Sequence, residues 1–440
     1  MRQPEALSNF VKGSFHLKGE ILTESERWFA NRTLNEALEM ALGPRPGPVH
    51  INISFDEPLT AFARGAGNGD CVFRKIDTLR PAGIISVEDA KRLAGEASGR
   101  RILIAGGFAP PSARMNKAFA KLCRLPDTVA TADALANINA PGMLDKPDLL
   151  PASELLGHPD ASPDLLITFG GSMLSKKMKE YLRRGNIREH WHVGDNEMLI
   201  DTFQCLSRRI EIPETGFFPR FANAMEHLAR RKGESGMSVF KSLWHEAAFR
   251  MDENAMAYRE NNPDEWTERR AVEKLMEELP ARWNLQLSNG LTPRYAVTAG
   301  ASRFHRRDCN RGVSGIDGSV STALGASLAY KGTTVLVTGD MSMQYDMAAL
   351  SSSLLGPRLK IIVINNGGGG IFRTIGSTRN LPELEKYFSC RLNLPVRSLA
   401  EGFSLDYFMA DSMTTLEKVL PSFIKADRRT AVLELRVAQE

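Results

Sequence analysis

Five cysteines in 440 residues is few, and no two of them stand at Cys-x-x-Cys spacing. Cys71, Cys123, Cys205, Cys309 and Cys390 are scattered and odd in number, which argues against a disulfide framework or a zinc site and predicts reduced thiols. Long apolar runs are also missing. None approaches the roughly 18 residues that span a bilayer, and the first residues lack a basic segment followed by an apolar core, so a cytoplasmic protein with no membrane partner is expected. Charge of one sign is scarce: 56 Lys and Arg against 52 Asp and Glu leave a net +4, too little to imply nucleic acid. A basic cluster at Arg303, His305, Arg306, Arg307 and Arg311 therefore calls for a local explanation. Repeats and low-complexity tracts are lacking. The glycine run Gly367 to Gly370 has no Gly-Lys-Ser/Thr ending, and Ala105-Gly106-Gly107 lacks the Gly-x-Gly-x-x-Gly spacing, so neither a Walker-type nucleotide site nor a working NAD site is expected.

What is present is a pair of strand ends in the last third. Thr334-Val335-Leu336-Val337 runs into Gly339-Asp340, and Lys360-Ile361-Ile362-Val363-Ile364 runs into Asn365-Asn366. Between them, Tyr345 to Leu355 is long enough for a crossover helix, with Met347, Leu350, Leu354 and Leu355 near helical spacing. A β-α-β unit makes the two strands parallel and usually adjacent, about 4.8 Å apart, so both polar ends emerge on one edge, where open α/β sheets bind ligands. One carboxylate and one amide, both hard oxygen donors, then converge with room for a phosphorylated ligand to complete a magnesium octahedron. Taken singly, Gly-Asp and Asn-Asn are also common turn dipeptides.

Together they resemble the signature of thiamine diphosphate enzymes. Arg311-Gly312-Val313-Ser314-Gly315-Ile316-Asp317-Gly318, Tyr345-Asp346 and Asn365-Asn366-Gly367-Gly368-Gly369-Gly370-Ile371-Phe372 closely resemble one branch, the 2-succinyl-5-enolpyruvyl-6-hydroxy-3-cyclohexene-1-carboxylate synthases of menaquinone biosynthesis. The segment from Gly47 to Leu59 is similar to the end of that branch's first domain, and Phe169-Gly170-Gly171-Ser172-Met173-Leu174-Ser175-Lys176 to a stretch of its middle domain. The resemblance implies an α/β chain of parallel-sheet domains. These are a remnant of a pyrimidine-binding domain over 1–60, a middle dinucleotide-fold-like domain over 75–232 and a pyrophosphate-binding domain over 237–440.

The resemblance also implies roles. Asp340, Asn366 and the Gly368 carbonyl would hold Mg²⁺ (or Mn²⁺) on the thiamine diphosphate, with Met341, Ser342 and Ile316 also at the cofactor. Ile316 would bend it. Lys176, Arg294 and Arg311 would hold carboxylates of 2-oxoglutarate and isochorismate, since arginine forks pair with carboxylates bidentately. Lys176 stands beside Lys177 and Lys179, so a solvated helix face is an equal reading. Ile371 and Phe372 would wall the substrate side, excluding water from the carbanion formed on decarboxylation. The implied reaction is loss of CO₂ from 2-oxoglutarate and addition of the remaining four-carbon unit to isochorismate, in a homodimer or homotetramer.

Chain organisation fits three sections. An amphipathic helix is predicted near Thr33 to Leu42 and a strand over Val49 to Ile53; strands ending in glycine turns are predicted over 101–107 and 165–171. A linker is expected at Lys232 to Gly236, then a helical stripe of Val272, Leu275, Met276 and Leu279. The glutamate by which the family activates its cofactor has no counterpart: Glu5, Glu20, Glu24 and Glu26 lack a matching context. A chain without it is expected to be nearly inactive as a synthase. A non-catalytic diphosphate- or subunit-binding remnant, or an acetolactate synthase-like carboligase, are the other readings.

Overall fold

The structure, a computed structural model, describes residues 3–43, 46–55, 74–76, 78, 83–185, 187–195, 201–233 and 235–438. Asp56 to Leu59, Cys71 and Glu234, which fall within the readings above, lie outside them. Contacts divide the chain into two units. One is Met1–Gly83 with Gly194–Ile200 and Glu211–Pro213, and the other is Ile84–Val193, Asp201–Ile210 and Glu214–Glu440. Among the described residues the strands form three sheets, and every pairing in them is parallel.

In the first unit, β1 (Ser14–Lys18) and β2 (His50–Ser54) pair beside α1 (Glu24–Leu42). The helix starts nine residues earlier than its apolar stripe suggests because Thr23 and Glu26 form a capping box that satisfies the first free amides. Asn31 and Asn35 of α1 then hold the segment at Arg74 and Ile76: each asparagine oxygen accepts a main-chain N–H there, at 2.9 and 2.8 Å. Trp28, Phe29, Leu38 and Leu42 of the same helix remain exposed.

The second unit begins with α2 (Val87–Ala97), β3 (Ile102–Gly106), α3 (Ala113–Leu122), β4 (Thr128–Ala132), β5 (Leu165–Phe169), α4 (Lys176–Arg184), β6 (Glu189–Val193), β7 (Leu206–Ile210) and α5 (Glu214–Lys232). Its sheet runs β4-β3-β5-β6-β7. The two glycine turns predicted at its strand ends press on each other: a β-carbon on Gly107 would come 1.8 Å from the Gly171 carbonyl oxygen. Those glycines serve close packing. After the linker comes α6 (Val239–Asn261), a 23-residue helix capped by Ser238. Its Phe240, Trp244 and Ala247 are buried with Leu103, Val129 and Leu166 of the preceding sheet. The expected boundary at 237 would assign this helix to the last section, whereas its apolar face packs on the middle one.

The remainder comprises α7 (Glu268–Glu278), β8 (Asn284–Leu287), α8 (Thr292–Thr298), β9 (Arg306–Cys309), α9 (Ser319–Ala329), β10 (Thr334–Gly339), α10 (Asp340–Tyr345) and β11 (Leu359–Asn365). These are followed by α11 (Ile371–Thr374), α12 (Val396–Gly402), β12 (Asp406–Ala410), α13 (Met413–Lys425) and β13 (Ala431–Arg436). The sheet order is β12-β13-β11-β10-β8-β9. Successive residues alternate faces. Val335, Val337, Ile362 and Ile364 bury into one layer with the α7 stripe Val272, Leu275 and Met276 and with Leu279 just beyond the helix, while Leu336, Ile361 and Val363 bury into the other with α9 and α12. Each such side chain is worth roughly 1.5–3 kcal/mol relative to exposure, which explains why two-sided strands read as continuous apolar runs.

The crossover between β10 and β11 differs from expectation. The helix begins at Asp340 itself and ends at Tyr345, and a short 3₁₀ turn, Met347–Ser351, completes the connection. Asp340 is thus the first residue of a helix. Among the described residues no helix is long and apolar enough to cross a membrane, and Cys123, Cys205, Cys309 and Cys390 are free thiols.

Candidate active site

In the last sheet β9 lies outside β8 while β10 and β11 lie on its other side, so the strand order reverses between β8 and β10. A crevice at the carboxyl ends of those strands is where such sheets take ligands. Asp340 follows β10, and the register pairs Gly339 with Ile364, so Asn365 and Asn366 emerge beside it.

The Asp340 carboxylate is buried and fully engaged by main chain. Its Oδ1 accepts from the Met341 N–H at 2.7 Å, and Oδ2 from the Gly367 and Gly368 N–H groups at 2.8 and 2.9 Å. Burial pushes its pKa up to about 6, against the opposing pull of those hydrogen bonds. The Gly368 N–H also reaches Asn366 Oδ1 at 3.3 Å, so the carboxylate and amide oxygens stand side by side on one donor. Gly367 and Gly368 have φ of +81° and +138°, conformations that side-chain-bearing residues rarely adopt. The glycine run is therefore required by the loop that wraps the carboxylate. Among the described residues no group of three His, Cys, Asp or Glu could hold a metal ion. The oxygens that meet here are of another kind, one carboxylate and one amide, both hard donors suited to Mg²⁺. The residues fit a magnesium-bridged diphosphate.

The loop across the crevice is held from two sides. Ser342 Oγ donates to the Ile316 carbonyl at 2.5 Å and lies 3.2 Å from Ser319 Oγ. Asn289, just past β8, donates to the carbonyls of Asn310 and Gly315. Ile316 is thereby placed half-buried beside the start of α10. Asp346 anchors α9 by accepting from the Ser321 amide and hydroxyl at 2.6 and 2.7 Å. Ile371 and Phe372 open α11 with both side chains partly exposed, and Phe372 packs on Phe388 at 5.7 Å between ring centres.

The cations divide. Arg311 is half-buried and donates to Asn289 Oδ1 at 3.2 Å; burial lowers its pKa, and the nearby positive charge of Arg294 adds to this. Arg294 is exposed on α8. Lys176 faces solvent and pairs with Glu180 at 3.8 Å. The lysine that shares the field of Arg294 and Arg311 is Lys179, lowered by burial first and then by Arg183, Arg311 and Arg294, with Asp133 opposing. Lys179 lies on the helix face of Ser175, Met178 and Leu182, all buried, a phase that the lysine run alone does not reveal.

Three further arginines of the basic cluster have partners within the chain. Arg307 is buried and donates to the carbonyls of Ala134, Ser302 and Phe304 and to Asn139 Oδ1. Arg303 donates to the carbonyls of Glu277 and Leu279, and Arg306 pairs with Asp308 at 2.7 Å.

Asp133 was not singled out by its sequence context, a strand end without a motif. Its carboxyl is buried, accepts the Leu174 N–H, and leaves Oδ1 without a hydrogen-bond partner. Burial pushes it up to about 7. A carboxyl whose pKa is higher folded than unfolded, about 3.9, adds stability at low pH that is lost as pH rises through the folded value. Asp133→Asn is therefore expected to flatten the fall in thermal midpoint between about pH 4 and 7, by about the contribution of one titrating group. Melting curves of both proteins across that range measure it; parallel curves would show that Asp133 stays charged.

Residues 293–435 match the family described as thiamine pyrophosphate enzyme, C-terminal TPP binding domain. The chain is also similar to curated 2-succinyl-5-enolpyruvyl-6-hydroxy-3-cyclohexene-1-carboxylate synthases. It is 35% identical over 439 residues to that of Porphyromonas gingivalis, covering 99% of this chain and 75% of the relative. Identity to the Desulfotalea psychrophila protein is 31%, over 92% and 72% of the two chains, and to the Flavobacterium johnsoniae protein 29%, over 94% and 73%.

Proposed function

Because the chain belongs to the 2-succinyl-5-enolpyruvyl-6-hydroxy-3-cyclohexene-1-carboxylate synthase family of thiamine diphosphate enzymes, we propose that its crevice binds Mg²⁺ and thiamine diphosphate and serves the carboligation of 2-oxoglutarate with isochorismate. The observation that carries this reading is the pair of oxygens, on Asp340 and Asn366, sharing the Gly368 N–H within a loop only glycine can form. When bound, the cofactor supplies the electron sink that lets a 2-oxo acid lose CO₂.

The chain's own residues supply position and surroundings. Asp340, Asn366 and the Gly368 carbonyl hold the cation, and Met341 and Ser342 line the start of α10 beside the diphosphate. Ile316, with its carbonyl fixed by Ser342, would support the bound cofactor. Arg311 and Arg294 take substrate carboxylates, Lys179 adds positive field beside them, and Lys176 remains available at the outer rim. Ile371 and Phe372, partly exposed at the start of α11, would wall the substrate side and keep water from it. A dimer or tetramer is the assembly proposed, and the exposed apolar residues of α1 suit burial in an interface.

Binding reports directly on the cation and diphosphate contacts. Titration calorimetry of the chain with thiamine diphosphate should show saturable binding with Mg²⁺ and none with a chelator present. The loaded protein should then bind 2-oxoglutarate in preference to pyruvate. Cofactor binding indifferent to the chelator would overturn the metal site; preference for pyruvate would favour an acetolactate synthase-like specificity.

A further inference from the structure

Glu268 is the first residue of α7, 98 positions before Asn366, and no strand-end motif includes it. It is nevertheless buried, and its Oε2 accepts from Asn366 Nδ2 at 3.0 Å. The helix is started by Thr267, whose hydroxyl accepts the Arg270 N–H at 3.2 Å, and its Val272, Leu275 and Met276 are locked in the core against the sheet that carries β11. Glu268 is thus presented by a rigid element.

A side-chain amide has two ends of nearly equal shape. Only its oxygen can ligate a hard cation, and a half-turn of the amide would replace that oxygen with an NH₂ group, a donor that repels the ion. An ionised carboxylate only accepts. With Glu268 on one side, the Asn366 NH₂ is held there and the oxygen must face the other way, where it meets the Gly368 N–H beside Asp340 Oδ2. We infer that Glu268 is a positioning residue that fixes the orientation of the Asn366 amide and so prepares the second side-chain oxygen of the cation site. This rests on the metal-site reading of the preceding subsection.

Loss of such an outer partner commonly weakens metal binding about 10–100-fold. Glu268→Ala should raise the Kd for Mg²⁺-dependent thiamine diphosphate binding by about that factor, whereas Glu268→Gln, which keeps a carbonyl acceptor, should stay near the unmodified protein. A purely structural glutamate could produce that split, so a charge exchange decides. Asn366→Asp supplies an oxygen ligand but sets a second carboxylate against Glu268, and it should bind poorly. Adding Glu268→Gln offers the introduced carboxylate an NH₂ donor, and the double variant should recover most of the lost affinity. Calorimetry and thermal melts of all four variants beside Asp340→Ala give the outcome, and the exchange pair remains decisive if Glu268→Ala does not fold. Tight binding by Asn366→Asp alone, or no recovery in the double variant, overturns the inference while the metal site stands if Asp340→Ala still loses binding. Unchanged binding by Asp340→Ala would instead remove the metal site on which the inference depends.

Discussion

Asp340→Ala is expected to abolish Mg²⁺-dependent binding of thiamine diphosphate, with affinity falling more than about 100-fold, or about 2.7 kcal/mol. Two effects add. The substitution removes the one carboxylate of the donor set, the ligand whose charge offsets most of the cost of dehydrating the cation. It also strips the side-chain acceptor from the main-chain N–H groups of Met341 and Gly367 and leaves that of Gly368 with the longer contact to Asn366 Oδ1, and an unsatisfied buried donor costs about 1–3 kcal/mol. The glycine loop should therefore loosen even without cofactor, and the melting temperature of the free protein should drop. Asp340→Asn separates the two, since an amide oxygen can still accept from the loop but brings no charge. Its single oxygen can keep the Gly367 and Gly368 N–H groups while its NH₂ end faces the Met341 N–H, so its melting temperature should fall less than that of Asp340→Ala while cofactor binding stays weak. Calorimetry with and without Mg²⁺ checks both, and equal Mg²⁺-dependent affinity in Asp340→Ala and the unmodified protein would refute the assignment.

Arg311→Lys is expected to weaken 2-oxoglutarate binding to the cofactor-loaded protein about tenfold while leaving cofactor affinity unchanged. The charge survives, but the planar fork does not, and a lysine cannot both donate to Asn289 Oδ1, as Arg311 does at 3.2 Å, and offer two parallel donors to a carboxylate. The half-buried setting sharpens the effect, because Arg294 and Lys179 already crowd positive charge there and an anion relieves it. Titration of 2-oxoglutarate into both proteins measures the change. Equal affinities would remove Arg311 from the substrate site; salt-sensitive RNA binding lost on this substitution would reassign the arginine to nucleic acid.

Much of this site was legible before any fold was known. Asp340, Asn366 and the glycine run are local features: a polar residue must follow an apolar strand where it leaves the sheet, and a run of glycines marks backbone that side chains would obstruct. The parallel pairing of β10 and β11 followed from the same pattern. The helix of α1 was recognised by its apolar spacing but placed too late, because its start is set by the Thr23 and Glu26 capping box. The 23 residues of α6 carry little periodic signal, since its buried face is a short stripe near one end, Phe240, Trp244 and Ala247, followed by exposed turns.

Chain-local chemistry by itself determined which residue types gather at the strand ends, hence a pair of hard oxygens suited to a cation-bound phosphorylated ligand. Only the tertiary structure decided which distant side chains join them. Glu268 reaches Asn366 across 98 residues, Arg307 turns inward to main-chain carbonyls while Arg311 keeps its place beside Asn289, and the burial of Met178 and Leu182 rotates α4 so that Lys179 joins the cations while Lys176 faces water. The physical reason is common to all three. Backbone geometry repeats over a few residues and leaves its mark in the local pattern, whereas a charged side chain's partner depends on how whole layers pack, which no short stretch of chain encodes.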